Sequence, residues 1–200
     1  MIWALAALAS PPDGLRPVVA RAGAVDRYAR WAALEGELPA RPVCEPVWPE
    51  IVDLCYRVWD QGKRRWVVTG DLGAWAADAP ALRERVASAA GEWVARAELV
   101  PIAGTPHQYL RLVDGDGWTA AGLLRPELAA ERLGGGPIRM AYPAETVWIA
   151  WRAGDDELDR IMAIGVRELY DATAGSVSPR IVTWDPSAPA PWKPFGQAVP

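Results

Sequence analysis

The stretch from Ile138 to about Thr173 constrains the fold more than any other. Ile138 to Tyr142 and Thr146 to Arg152 read as two short apolar strands joined by a turn at Pro143-Ala144-Glu145. A helix is expected at once afterwards, from Asp155 to about Thr173, because Leu158, Ile161 (with Met162), Gly165 and Leu169 recur at helical spacing. Strands joined by a turn and followed by a helix argue for an α+β arrangement. Asp155, Asp156, Glu157 and Asp159 crowd the start of that helix. With Asp155 as N-cap, the acids complement the exposed N–H groups and the helix dipole, worth about 0.3–1 kcal/mol per favourable charge. A metal or acid/base site would need further ligands converging on them, and the sequence nominates none.

The rest of the chain mixes the same two element types. Arg16 to Leu34 carries Val19, Ala22, Val25, Tyr28 and Ala32 at three- to four-residue intervals and reads as a first helix. Gly36 and four prolines up to Pro49 mark a loop. Ile51–Trp59 and Arg65–Thr69 read as a hairpin around a Gly62-containing turn, with Trp59 and Trp66 placed to pair across it. Gly70 to Trp75 reads as a helical turn capped by Thr69 or Asp71. The stripe Leu82, Val86, Ala89, Trp93, Ala97 predicts a helix after Asp78, and His107 to Val113 predicts a strand. Ala120 to Leu133 is helical in pattern but broken at Pro126, and Gly134-Gly135-Gly136 ends it. Arg180 to Trp184 is a last strand, and the proline-rich stretch from Pro186 reads as irregular. The expectation is one α+β domain over 1–185 with a tail over 186–200. Its sheet is mixed, mostly antiparallel with hairpins, and packed by about four helices.

Charge and composition narrow the function classes. Net charge is −4, pI is about 5.1, and no basic stripe exists, which argues against nucleic-acid binding. No run approaches the ~20 apolar residues of a membrane span. Ile2 to Ala9 is apolar but lacks the basic flank of a signal peptide, so a cytoplasmic location is expected, with export as the alternative if Met1–Ser10 belongs to a signal segment. Asparagine is absent and lysine occurs only at 63 and 193, a composition expected of a GC-rich bacterial genome. Cys55 reads as a buried small hydrophobe; a bond to Cys44 stays open, but no compartment signal favours it.

Catalytic constellations are hard to assemble. Asp114-Gly-Asp116-Gly resembles the start of a calcium loop, but Trp118 and Arg125 occupy positions that should carry ligands, so a glycine-rich turn is expected. His107 is the sole histidine and reads as structural. No serine lies in a Gly-x-Ser-x-Gly elbow, and Gly134-Gly135-Gly136-Pro137 has no phosphate-loop lysine. The twelve tryptophans are the compositional outlier. Most are expected in the core. Trp148 and Trp151 differ by an odd number of positions and should face opposite sides of one strand, leaving one available. Trp118, beside the turn, and Trp192, in the tail, are expected to be exposed.

The order of segments resembles the bacterial domain of unknown function 1444 family over about residues 50–185. Thr69-Gly-Asp-Leu-Gly-Ala-Trp75 is similar to its loose T-x-x-L-x-x-W segment before a helix, and Asp116-Gly-Trp-Thr-Ala-Ala-Gly-Leu-Leu124 to its turn and helix start. Ile138–Pro143, Val147–Trp151 and Ser178–Trp184 follow in the family's order. Ala121 stands where the family pattern has serine. The resemblance implies an α+β fold and no assigned activity.

The sequence reading is therefore a non-catalytic protein-interaction module, an adaptor or immunity-type protein. Its partner would be another protein, contacted through Trp118, Trp148, Trp151 and Trp192, with no cofactor or metal. The alternative is a small-ligand binder or hydrolytic enzyme using Asp114, Asp116 or the acids of 155–159.

Overall fold

The computed structural model describes residues 14–34, 41–48, 50–60, 63–115 and 117–196. The N-terminal apolar run and Asp116 lie outside them. The fold is α+β, with six α-helices and ten strands in two antiparallel sheets among the described residues.

The first unexpected element is at the start. Arg16–Arg21 forms strand β1, and only Ala24–Leu34 forms helix α1. The predicted helix over Arg16–Leu34 is therefore wrong in its first third. Pro17 through Ala20 are all buried, and an edge strand tolerates the missing N–H of Pro17. Gly23 (φ +76°) turns the chain, and Asp53 Oδ2 accepts hydrogen bonds from the N–H groups of Gly23 and Ala24 at 2.9 and 3.2 Å.

β2 (Cys44–Trp48), β3 (Val52–Asp60) and β4 (Lys63–Trp66) complete the smaller sheet. β3 is central, with β1 along one edge and β2 followed by β4 along the other. β2 lies where a proline-marked loop was expected; exposed Pro46 sits at a register irregularity on this edge. The register places Cys44 directly opposite Cys55, and the two form a disulfide. The cysteines are thus paired, against the expectation of a free buried Cys55. Trp59 faces Arg64 and Trp66 faces Arg57, so the tryptophans do not pair with each other; each ring takes a guanidinium, at 5.2 and 4.1 Å.

α2 (Thr69–Trp75) and α3 (Ala79–Arg96) follow. Asp71 accepts from the Val68 N–H and takes both ends of the Arg65 fork. Asp78 caps α3 through the Ala81 N–H, and Leu82, Val86, Ala90 and Val94 bury its apolar stripe. β5 (Glu98–Pro101), which the sequence reading lacked, leads to β6 (Gln108–Val113). A 3-10 turn at Trp118–Ala120 enters α4 (Ala121–Leu124), and Pro126 starts α5 (Pro126–Arg132) after a break at Arg125, as the interrupted pattern predicts.

β7 (Ile138–Ala144), β8 (Val147–Arg152), α6 (Asp156–Ala172), β9 (Ile181–Trp184) and β10 (Trp192–Pro194) close the chain. β10 lies in the stretch expected to be irregular. It pairs with β9, and Trp192 packs against Trp48 and Trp184, which gives the segment an apolar anchor.

The larger sheet has the order β10-β9-β7-β8-β6-β5. One face, carrying Leu110, Leu112, Met140, Tyr142, Trp148 and Val182, forms the main core with the smaller sheet and α3. Gly122 of α4 meets the Trp148 indole so closely that an added Cβ would lie 2.1 Å from it. The other face, carrying Ala141, Ile149, Trp151 and Ile181, receives α6 through Leu158, Met162, Ala163 and Val166.

Candidate functional site

The acid cluster is a helix start. Asp155 Oδ1 accepts from the Leu158 N–H at 2.9 Å, as an N-cap does. Asp156 and Glu157 are exposed. Asp159 is buried, its Oδ1 accepting from Arg139 Nε at 2.6 Å and from Trp151 Nε1 at 2.8 Å, while Arg139 also donates to Thr183 Oγ1. The four carboxylates therefore point to three different environments and do not converge. Asp114 has a structural duty as well, accepting from the Trp118 N–H at 2.7 Å. Gly117 (φ +99°) lies where an added Cβ would meet Pro17 O at 2.5 Å, so its turn is fixed by close packing on β1. Among the described residues no group of three or more His, Cys, Asp or Glu side chains could hold a metal ion.

The tryptophans expected at the surface are mostly inside. Trp148 and Trp151 face opposite sides of β8 as the odd spacing predicts, but both faces of this strand are covered, and each side chain is buried. Trp118 is buried too, stacked on Trp93 at 5.4 Å with Arg16 over its ring. Trp192 is half-buried in the Trp48–Trp184 cluster. The expectation of exposure thus fails for Trp118, and neither Trp148 nor Trp151 is the available one expected of that pair. The reason is a second layer on each side of the sheet, which spacing along one strand cannot reveal.

Two surface features bear on function. The first is a polar cleft of about 490 Å³ at the junction of β8 and α6, lined by His107, Gln108, Arg152 and Asp155 over Leu133 and Leu158. His107 Nε2 lies 3.6 Å from Asp155 Oδ2, so the sole histidine meets the helix cap across 48 positions of sequence. With both cysteines in a disulfide, His107 has no thiol partner among the described residues.

The second is apolar. The outer face of the larger sheet is about 24 Å wide across six strands, and one helix about 10 Å across cannot cover it. α6 lies over β7 and β8. Beside it the outward residues of β6 and β5 stay partly or largely open: Val100, Tyr109 and Val113, the last 63% exposed, with the Arg111–Glu98 ion pair set between them. A groove of about 250 Å³ runs between this strip and α6, walled by Pro101, Ile102, Tyr109, Ile161, Gly165 and Leu169. No signal in the sequence marks this lane, because Val113 and Tyr109 alternate as core-facing strand residues would.

No family model, curated protein or solved structure matches this chain. No helix among the described residues is long and apolar enough to cross a membrane.

Proposed function

We propose that this protein is a non-catalytic interaction module that binds another protein through the half-covered outer face of its larger sheet. The observation that supports this reading is the largely apolar lane of β5 and β6 beside α6, with Val113 63% exposed and Ile164 and Leu169 of the helix also open. An apolar strip bordered by charged side chains is the common form of a partner surface. Of the acids at 155–159, Asp155 is engaged as a cap, Asp159 in a buried ion pair, and Asp156 and Glu157 as solvated side chains. The test is affinity purification of the tagged chain from its native host. A stoichiometric protein is expected to co-purify with it and to be lost with Val113→Asp in a chain of unchanged melting temperature. A partnerless chain ends the reading.

The cleft at His107 favours a second reading, a polar small ligand held between His107, Arg152 and Asp155. A metabolite that raises the melting temperature of the wild-type chain but not of His107→Ala would support it; no stabilising compound would end it.

The disulfide supports the exported alternative over a cytoplasmic location, since such bonds persist in oxidising compartments. Cell fractionation checks this, with the oxidised chain expected outside the cytoplasm. Membership of the domain of unknown function 1444 family is proposed on the order of segments over 50–185. A family member's structure with the same strand order would support it, and a different order would end it.

A further inference from the structure

We infer that the occupant of this lane is an amphipathic helix of the partner protein, basic along its outer flank, lying beside α6. The inference rests on the reading of the lane as the binding surface. Three observations carry it.

Layer geometry comes first. A helix packed on a sheet occupies about two strands, so the uncovered width over β6 and β5 is the width of one more helix at the usual 8–10 Å from α6. A strand added at the sheet edge fits worse. β5 has four residues and ends at Pro101, which has no N–H to give, so little ladder is on offer.

The second is Gly165. It sits mid-helix on the groove side of α6, where glycine is the poorest choice after proline, and an added Cβ there would meet nothing within 4 Å. Packing within this chain therefore does not call for glycine. A second helix passing beside α6 does, because side-chain size at the crossing sets how near two helices come.

Charge is the third. Glu157, Ile161, Ile164 and Glu168 follow each other at four, three and four positions and form one stripe along the lane side and crest of α6. Arg160 and Arg167 fall on the opposite flank, where Arg167 pairs with Asp171. On the sheet side of the lane Arg111 is already paired with Glu98. The rim is thus net acidic and suits Lys or Arg on the incoming helix. A second copy of this chain would set Glu157 and Glu168 against the same pair, a like-charge contact. The chain's own run Ile2–Ala9 has no basic residue to offer them.

The test is photo-crosslinking in the native host, with p-benzoylphenylalanine at Val113 or Leu169 of the full chain, and at Ser88 on the outer side of α3 as a control. Cross-linked peptides are read by mass spectrometry. The expected product joins Val113 and Leu169 to one partner segment with apolar residues at three- and four-residue spacing and flanking Lys or Arg. Its yield should persist in Gly165→Ala and fall at least tenfold in Gly165→Trp, both checked for an unchanged circular dichroism spectrum. If Gly165→Trp misfolds, the exposed Ile164→Glu variant serves, with a similar fall expected. Cross-links to a second copy, to residues 2–9 of the same chain, or to an acidic or extended segment overturn the inference. Cross-links from Ser88 alone remove the outer-face reading along with it, whereas a product on an acidic or extended partner segment leaves that reading in place. No cross-link from any position removes both.

Discussion

The two faces of the six-stranded sheet are built to different degrees of closure. On the inner face Trp148 packs closely against Gly122, the second sheet and α3 close over it, and Leu110, Tyr142 and Val182 are fully enclosed. On the outer face a single helix among the described residues covers the middle strands, Val113 is left largely to solvent, and Tyr109 is only partly buried. Strand residues alternate on both faces, so alternation alone does not determine whether a face is closed. Closure depends on how many elements the rest of the chain supplies. Among the described residues the inner face has a sheet and several helices above it, and the outer face has one helix.

Truncating Trp148 to alanine should show the largest effect, because the enclosed ring cannot be replaced by water or by neighbours. A loss of about 3–5 kcal/mol is expected in urea denaturation, against well under 1 kcal/mol for Val113→Ala on the open face. Equal losses would dissolve the contrast between the faces.

Asp159→Ala comes next. It removes the partner of Arg139 and of Trp151 Nε1 beneath α6. About 2–3 kcal/mol is expected, less than for a fully enclosed pair because Arg139 can partly reach water. If the substitution were neutral, α6 would be held by its apolar stripe alone.

Reducing the Cys44–Cys55 bond tests the closed side at its edge. The loop it closes is short, and about 2–3 kcal/mol of stability should disappear with reductant, read as a lower melting temperature. An identical melting curve with and without reductant would mean that β2 is held by its ladder without help from the bond.

Asp71 gives a pH test near the closed face. Burial alone would raise its carboxyl, but the Arg65 fork and the Val68 N–H outweigh that and hold it below the usual carboxylate value. A carboxyl lowered by folding adds stability above its unfolded value near 3.9, and that contribution disappears as pH falls through the lower folded value. Asp71→Asn should therefore destabilise at about pH 7 and approach wild type near pH 2, measured as denaturation midpoints. A difference that persists at low pH would point to packing instead of charge.

The smallest effect is a gain. Gly165→Ala on the open side meets no atom and should raise stability by about 0.5–1 kcal/mol, a few degrees in melting temperature. A loss would mean that the groove wall is less open than its geometry shows.

Local chemistry alone determined a good part of this molecule. The Asp155 cap, the Asp78 cap, the break at Pro126, the glycine stop after Arg132 and the strands of the β7–β8 hairpin follow from spacing, dihedral preference and orphan N–H groups within a few residues. So does the identity of the acid cluster as a helix start. What the tertiary structure decided involves partners far apart in sequence. Arg16–Arg21 became a strand because β3 stands beside it, a pairing that outweighs a weak helical periodicity. Cys44 meets Cys55 through strand register, and Trp192 finds Trp48 and Trp184 only once β10 pairs with β9. His107 reaches Asp155, and the lane beside α6 stays open, for the same physical reason. Burial and proximity are properties of the assembled layers, and no window of local sequence contains them.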